Sequence, residues 1–216
     1  TEASKHGMMP IKILATLFEK GHATDCKKIL HDIINIDLSN QDLTNQQQIW
    51  RISDKVITTN YDKALESALD EDMREKVEVL LTGERHTGIS FPVQLSYLYK
   101  IHGTIDHPET CVLFPADYDQ LYKYNHAFLT ELKRLSANSV ILFIGYSLSD
   151  VQINQILGNV QTLFHIGTRH FIVTPDVKDF KNIGIEIIKI ENYSELLPYL
   201  DELASYRQEI DRNLSV

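Results

Sequence analysis

Short runs of β-branched and aromatic residues alternate with stretches of helical periodicity over most of the chain after Trp50, and no other feature restricts the possible folds as much. The runs cover residues 55–59, 97–101, 140–144, 169–173 and 185–189, each of a length suited to a buried strand. Helical patterns occupy residues 63–69, 117–135 and 150–163, and Ser194 is placed to cap a last helix with Leu196, Leu200, Leu203 and Ile210 on one face. Strands alternating with helices predict an α/β architecture, a Rossmann-like parallel sheet with helices on both faces. Residues 71–90 are charged and contain glycine, and are expected to form a helix and an excursion over one end of the sheet.

Ahead of this core, Ile11, Leu14, Leu17 and Phe18, then Ile29, Ile33 and Ile34, recur at helical spacing with Gly21-His22 breaking the run, so residues 10–36 read as a helical hairpin. Residues 37–48 are polar and read as a loop or short helix before Ile49-Trp50. With 216 residues and 43% hydrophobic content the chain can bury a sizeable core. The expected organisation is one domain, residues 1–216, made of a helical cap segment (10–50) and a Rossmann-like core (51–216). No internal repeat or low-complexity tract interrupts it.

Charge narrows the partners. There are 21 basic against 30 acidic residues, net -9, which opposes the counterion-release attraction behind phosphate-backbone binding, so direct nucleic-acid contact is not expected. The basic cluster around Lys123, Lys133 and Arg134 is interleaved with Glu131 at helical spacing and reads as a solvated face. The longest apolar run, residues 140–144, falls far short of the roughly 20 residues that span a bilayer, and no membrane contact is expected. Cys26 and Cys111 stand far apart with no CxxC, encoding neither a disulfide framework nor a zinc site, and a cytoplasmic setting is the default. The nine histidines show neither HxxxH nor HExxH spacing, so no metal is expected. The opening Thr1-Glu-Ala-Ser-Lys5 lacks an initiator Met and a leader pattern, and is read as the start of a fragment without a signal peptide.

In an open α/β sheet, ligands bind outside the carboxyl ends of the strands. Three strands end in unusual sequences: Thr58-Thr-Asn-Tyr-Asp62, Ile101-His-Gly-Thr104 and Ile144-Gly-Tyr-Ser-Leu-Ser-Asp150. Each has a structural explanation. Asn60 and Asp62 can cap the following helix, His102 can be a turn histidine before Gly103, and Gly145-Tyr146-Ser147 can be a tight turn with Ser149 as N-cap. Together, an amide, an imidazole and a Gly/Ser loop expected to converge on one rim favour a site.

The same residues resemble the sirtuin-like (SIR2-like) superfamily. Thr58-Thr-Asn60-Tyr-Asp62 resembles its TQNxD signature, His102-Gly103 its catalytic HG, and Gly145-Tyr-Ser147 its GTS loop, in the family's order. The fuller pattern VITTNYD, YKIHG, Pro115-Ala-Asp-Tyr-Asp119 and LFIGYSLSD is closest to the SIR2-like domains of bacterial antiphage defence systems, over residues 57–175. Two departures stand out. Sirtuin deacylases carry four zinc-binding cysteines between the HG and GTS motifs, where this chain has Cys111 alone, so no zinc module is expected and the resemblance points to the NAD-hydrolysing branch. The family's N-terminal strand and glycine-rich loop, which cradle the NAD phosphates, have no counterpart in residues 1–12.

The resemblance implies an NAD+ glycohydrolase that cleaves NAD+ to nicotinamide and ADP-ribose, depleting NAD+ in antiphage defence. His102 would be the general base and Asn60 would position the ribose and the attacking water. Asp62 would hold the nicotinamide carboxamide, Thr59 and Gly103 would complete those loops, and Gly145, Tyr146, Ser147 and the helix start at Asp150 would receive the ribose-phosphate portion. NAD+ is then the substrate, and a homo-oligomer, a partner defence protein or a fused sensor domain the expected means of control. The alternatives are a silent sensor or assembly module binding NAD or ADP-ribose, which the missing glycine-rich loop motivates, and a protein deacylase, which the missing cysteines disfavour.

Overall fold

The computed structural model describes residues 16–17, 19–82, 95–145, 158, 170–175 and 184–214. The chain divides into two compact units, Thr1–Asn125 and His126–Val216.

In the first unit, helices α1 (Ala23–Ile34) and α2 (Thr44–Ile52) lead into strand β1 (Lys55–Thr58), followed by the short helices α3 (Ala64–Ser67) and α4 (Glu71–Arg74) and by strands β2 (Val77–Leu81) and β3 (Ser96–Lys100). A 3-10 turn (Pro108–Thr110) and helix α5 (Pro115–Asp119) come next, α5 running directly into a π-helical segment, Gln120–Tyr124. The sheet order is β1-β3-β2 with both pairings parallel. β3 lies in the middle, and Tyr97 to Lys100 are all buried, as a central parallel strand hydrogen-bonded along both edges requires. Trp50, Val56, Leu69, Val77 and Leu98 form the core against which Leu43, Leu65 and Met73 pack. The indole N–H of Trp50 donates to the carbonyl of Leu65 at 2.8 Å, pinning α2 to α3.

The second unit contains α6 (His126–Asn138), β4 (Leu142–Ile144), β5 (His170–Thr174) and β6 (Ile185–Lys189), then a 3-10 turn (Tyr193–Glu195) and α7 (Leu196–Leu214). Its sheet is again parallel, in the order β4-β5-β6. Ile172, Val173, Ile185, Leu200 and Ala204 are buried. The fold is α/β and Rossmann-like, with parallel sheets flanked by helices.

Three local expectations need correction. Residues 71–90 hold a full strand, β2, besides the expected helix α4; Glu78 at an exposed position and the charges just before Val77 mask it in sequence, although Val77 and Leu81 are buried. The helix expected over 117–135 is two helices with the π segment and Asn125 between them. Ser194 is not the cap of the last helix: the Asn192 side chain accepts the Ser194 N–H at 2.9 Å and starts a 3-10 turn that passes into α7. Of the helical hairpin expected over 10–36, α1 follows a break at Gly21 (φ 80°), and residues 1–15 lie outside the described part. The helix expected over 150–163 also falls there, apart from residue 158.

Candidate active site

β1 and β3 run in register, with Thr58 opposite Lys100. The Ile101 N–H donates to the Thr58 carbonyl at 3.0 Å, the last bond of this pairing. Asn60 and His102 therefore each stand two residues past the same paired row, on neighbouring parallel strands and at the carboxyl edge where such sheets bind ligands. Thr59 is half-buried and Asn60 exposed. The Thr58 hydroxyl accepts the Asn60 N–H at 3.0 Å, and one Asp62 carboxylate oxygen accepts the Ala64 N–H at 2.9 Å, a local bond two residues on, while the N-cap of α3 is Lys63, which makes no side-chain capping bond.

The two loops after β1 and β3 are laced together. The Tyr61 carbonyl accepts the Ile105 N–H at 2.9 Å, and the Val112 N–H donates to the His102 carbonyl, also at 2.9 Å. The Tyr61 hydroxyl donates to the Val112 carbonyl at 2.6 Å, and Lys63 pairs with Asp106 at 2.9 Å. Burial pushes the Tyr61 phenol far above its ordinary value, keeping it a neutral donor. Gly103 has φ 90°, and a Cβ there would run into the Thr110 carbonyl, so only glycine fits after His102.

His102 is buried, and its Nε2 lies 2.8 Å from the Tyr122 hydroxyl. Tyr118 and Tyr122 stack on each other with centroids 6.0 Å apart, and both present their rings roughly perpendicular to the imidazole, at 5.4 and 6.0 Å. The π segment sets the second tyrosine there, a wider turn of the kind found at functional sites. Asp117 fixes the start of this run: one carboxylate oxygen accepts the N–H groups of Leu113 (3.0 Å) and Phe114 (2.9 Å). Lys27 of α1 reaches the same oxygen at 3.3 Å and donates to the Glu109 carbonyl at 3.1 Å, tying the helical cap to this loop. An imidazole bonded to a phenol hydroxyl can hold or pass a proton near neutral pH. Sequence reasoning missed Tyr122, and it quoted Tyr118 and Lys100 within motifs without giving either a role; the i, i+4 spacing of the tyrosines and a lysine closing a buried strand were the available signals.

In the second unit Gly145 follows β4 with φ 64°, a left-handed turn directly past a strand end. Tyr146, Ser147 and Asp150 lie outside the described residues. Cys111 is buried, donates to the Thr104 carbonyl at 3.4 Å, and has its thiol pushed up to about 11 by burial, a packing role. Among the described residues, no group of three or more His, Cys, Asp or Glu side chains could hold a metal ion, and no helix is long and apolar enough to cross a membrane.

The chain is 26% identical over 172 residues to the NAD(+) hydrolase ThsA of Bacillus cereus (strain MSX-D12), covering 68% of this chain and 35% of that protein. It is 30% identical over 115 residues to the NAD(+) hydrolase ThsA of Cytobacillus dafuensis, covering 53% and 23%. It is also 32% identical over 135 residues to Defense-associated sirtuin 2 of Bacillus subtilis, covering 59% of this chain and 13% of that protein. The chain thus spans about a third or less of the length of these curated relatives. The SIR2-like domain profile matches residues 54–193, taking in both signature loops of the first unit and all three strands of the second, and the chain belongs to the SIR2-like domain family.

Proposed function

We propose that this chain is the NAD+-cleaving domain of an NAD+ hydrolase acting in antiphage defence, with residues 1–216 working as one SIR2-like domain. The reading rests on one observation above all: an amide (Asn60) and an imidazole (His102) stand at the same register past neighbouring parallel strands. Relatives bearing the name NAD(+) hydrolase add to it.

The reaction is NAD+ plus water giving nicotinamide, ADP-ribose and a proton. The bond from ribose C1′ to the nicotinamide nitrogen breaks, its electron pair leaves with nicotinamide, and water oxygen bonds to C1′. Positive charge builds on the ribose in the transition state, so the site needs an oriented nucleophile and a group that accepts its proton. Asn60 orients the ribose and the water; His102 takes the proton, directly or through the Tyr122 hydroxyl on its Nε2. Thr59 and Gly103 shape the two loops, and the free lone pairs of the Asp62 carboxylate receive the nicotinamide amide. Gly145, Tyr146, Ser147 and Asp150 take the ribose-phosphate portion. A homo-oligomer or a partner defence protein controls the activity.

The test is chromatographic measurement of nicotinamide and ADP-ribose formed from NAD+ by the full-length protein, wild type beside Asn60→Ala and His102→Ala. Product from the wild type alone is expected; full activity in either variant sinks the assignment of that residue. A second reading, binding without cleavage, draws on the burial of His102 and the engagement of its Nε2 by Tyr122. NAD+ binding by calorimetry with no product would favour it.

A further inference from the structure

The last residue of β3 is a lysine with no solvent exposure. The Lys100 ammonium donates to the Asp62 carbonyl at 2.5 Å, to a Glu66 carboxylate oxygen at 2.6 Å and to the Tyr61 carbonyl at 3.3 Å, which accounts for all three of its protons. Burying a charge is costly, and a well-packed apolar pair of similar volume is often as stable or more so. The partner is not arranged for stability either: the second Glu66 oxygen is buried and makes no hydrogen bond among the described residues. The bonds that distinguish this lysine from an apolar side chain go to two consecutive carbonyls of the loop that carries Asn60 and Asp62, and they come from a residue two positions before His102.

We propose that Lys100 is a positioning residue: its buried ammonium fixes the backbone at Tyr61 and Asp62, and through it Asn60, relative to His102. Glu66 neutralises that charge and anchors α3 at the same point. The relevance to catalysis rests on the NAD+ hydrolase reading; the bracing itself does not.

The experiment pairs Lys100→Met with Glu66→Gln in the full-length protein, so that no unpaired charge remains. Two quantities are read: steady-state NAD+ cleavage, and hydrogen–deuterium exchange of amides 59–63 against those of β3. The double variant is expected to keep β3 protected while amides 59–63 exchange faster. Its kcat should fall by about 10²-fold, the order that misplacement of a reacting group by an ångström produces, with KM changed by less than about threefold. A merely structural lysine would instead lower protection of β3 and of the loop alike and leave kcat per folded molecule unchanged. Wild-type exchange at 59–63, or faster exchange with wild-type kcat, overturns the proposal. If the double variant does not fold, Lys100→Met with Glu66→Met, an apolar pair of similar volume that also removes the bonds to the Tyr61 and Asp62 carbonyls, supplies the same readings. A wild-type protein that releases no nicotinamide defeats the hydrolase reading instead, and exchange at 59–63 then decides by itself whether Lys100 braces the loop.

Discussion

Among the described residues, each unit of the molecule buries one histidine at the end of a strand, and the two are used in opposite ways. His102 lies just past the carboxyl end of β3, with its Nε2 against the Tyr122 hydroxyl. His170 opens β5 at the amino end, where its Nδ1 accepts the Ile141 N–H at 3.2 Å and its ring meets Phe143 edge-on at 6.5 Å. Their exposures, 5% and 4%, do not separate them. The bonding partner does. A phenol hydroxyl can exchange a proton with imidazole, whereas a backbone amide at these pH values only donates a fixed hydrogen bond. His170 supplies the acceptor for the Ile141 N–H, and burial holds its pKa below the ordinary 6.5.

The sharpest way to break this contrast is to remove each ring. His102→Ala should lower NAD+ cleavage by roughly 10²–10⁴-fold, the range for loss of a general base; a variant within a few-fold of wild type would make His102 no more catalytic than His170. His170→Leu should act on stability instead, orphaning the Ile141 N–H at a cost of about 1–3 kcal/mol, read from denaturant midpoints. No change in midpoint would mean that the second unit does not depend on this bond.

Much of the scaffold on which these residues stand is legible in sequence, because its strands are short β-branched and aromatic runs. The run at 185–189 matches β6 residue for residue, and those at 55–59 and 97–101 fall within a residue of β1 and β3. β2 is hidden because it mixes Glu78 into a half-exposed strand, and its partner β3 cannot be known from local pattern. Asn60 and His102 announce themselves by residue type at strand ends. Tyr122 and Lys100 do not, since the bonds that matter cross 20 residues in one case and 38 and 39 in the other. Only the folded chain brings those partners together.

A finer test of the contrast is Tyr122→Phe, which removes one hydroxyl and leaves the aromatic stack. Loss of a single hydrogen bond of about 1 kcal/mol should slow NAD+ cleavage by roughly 3- to 10-fold, and the pH–rate profile should shift on its acid limb. An unchanged rate and profile would show that the hydroxyl does not tune His102. The smallest effect is expected from pH acting on His170. Because its native pKa is lowered, the unfolded chain takes up the proton first as pH falls, so the stability it contributes is full above about 6.5 and is lost progressively below that value through its native pKa. Urea midpoints measured from pH 8 to pH 5 should therefore decline more steeply for the wild type than for His170→Leu; equal slopes would assign the acid sensitivity to other groups.

The bond from the Trp50 indole to the Leu65 carbonyl has a practical consequence for all of these measurements. Trp50 is the chain's one tryptophan, and it sits in the core of the unit that carries Asn60 and His102. Its emission is therefore a built-in optical probe of that unit alone, red-shifting when the indole meets water, while far-UV circular dichroism sums the helices and strands of both units. Coincident melting curves by the two signals would show the units unfolding as one cooperative block. A fluorescence transition displaced from the dichroism curve would give each unit its own stability from a single unlabelled sample.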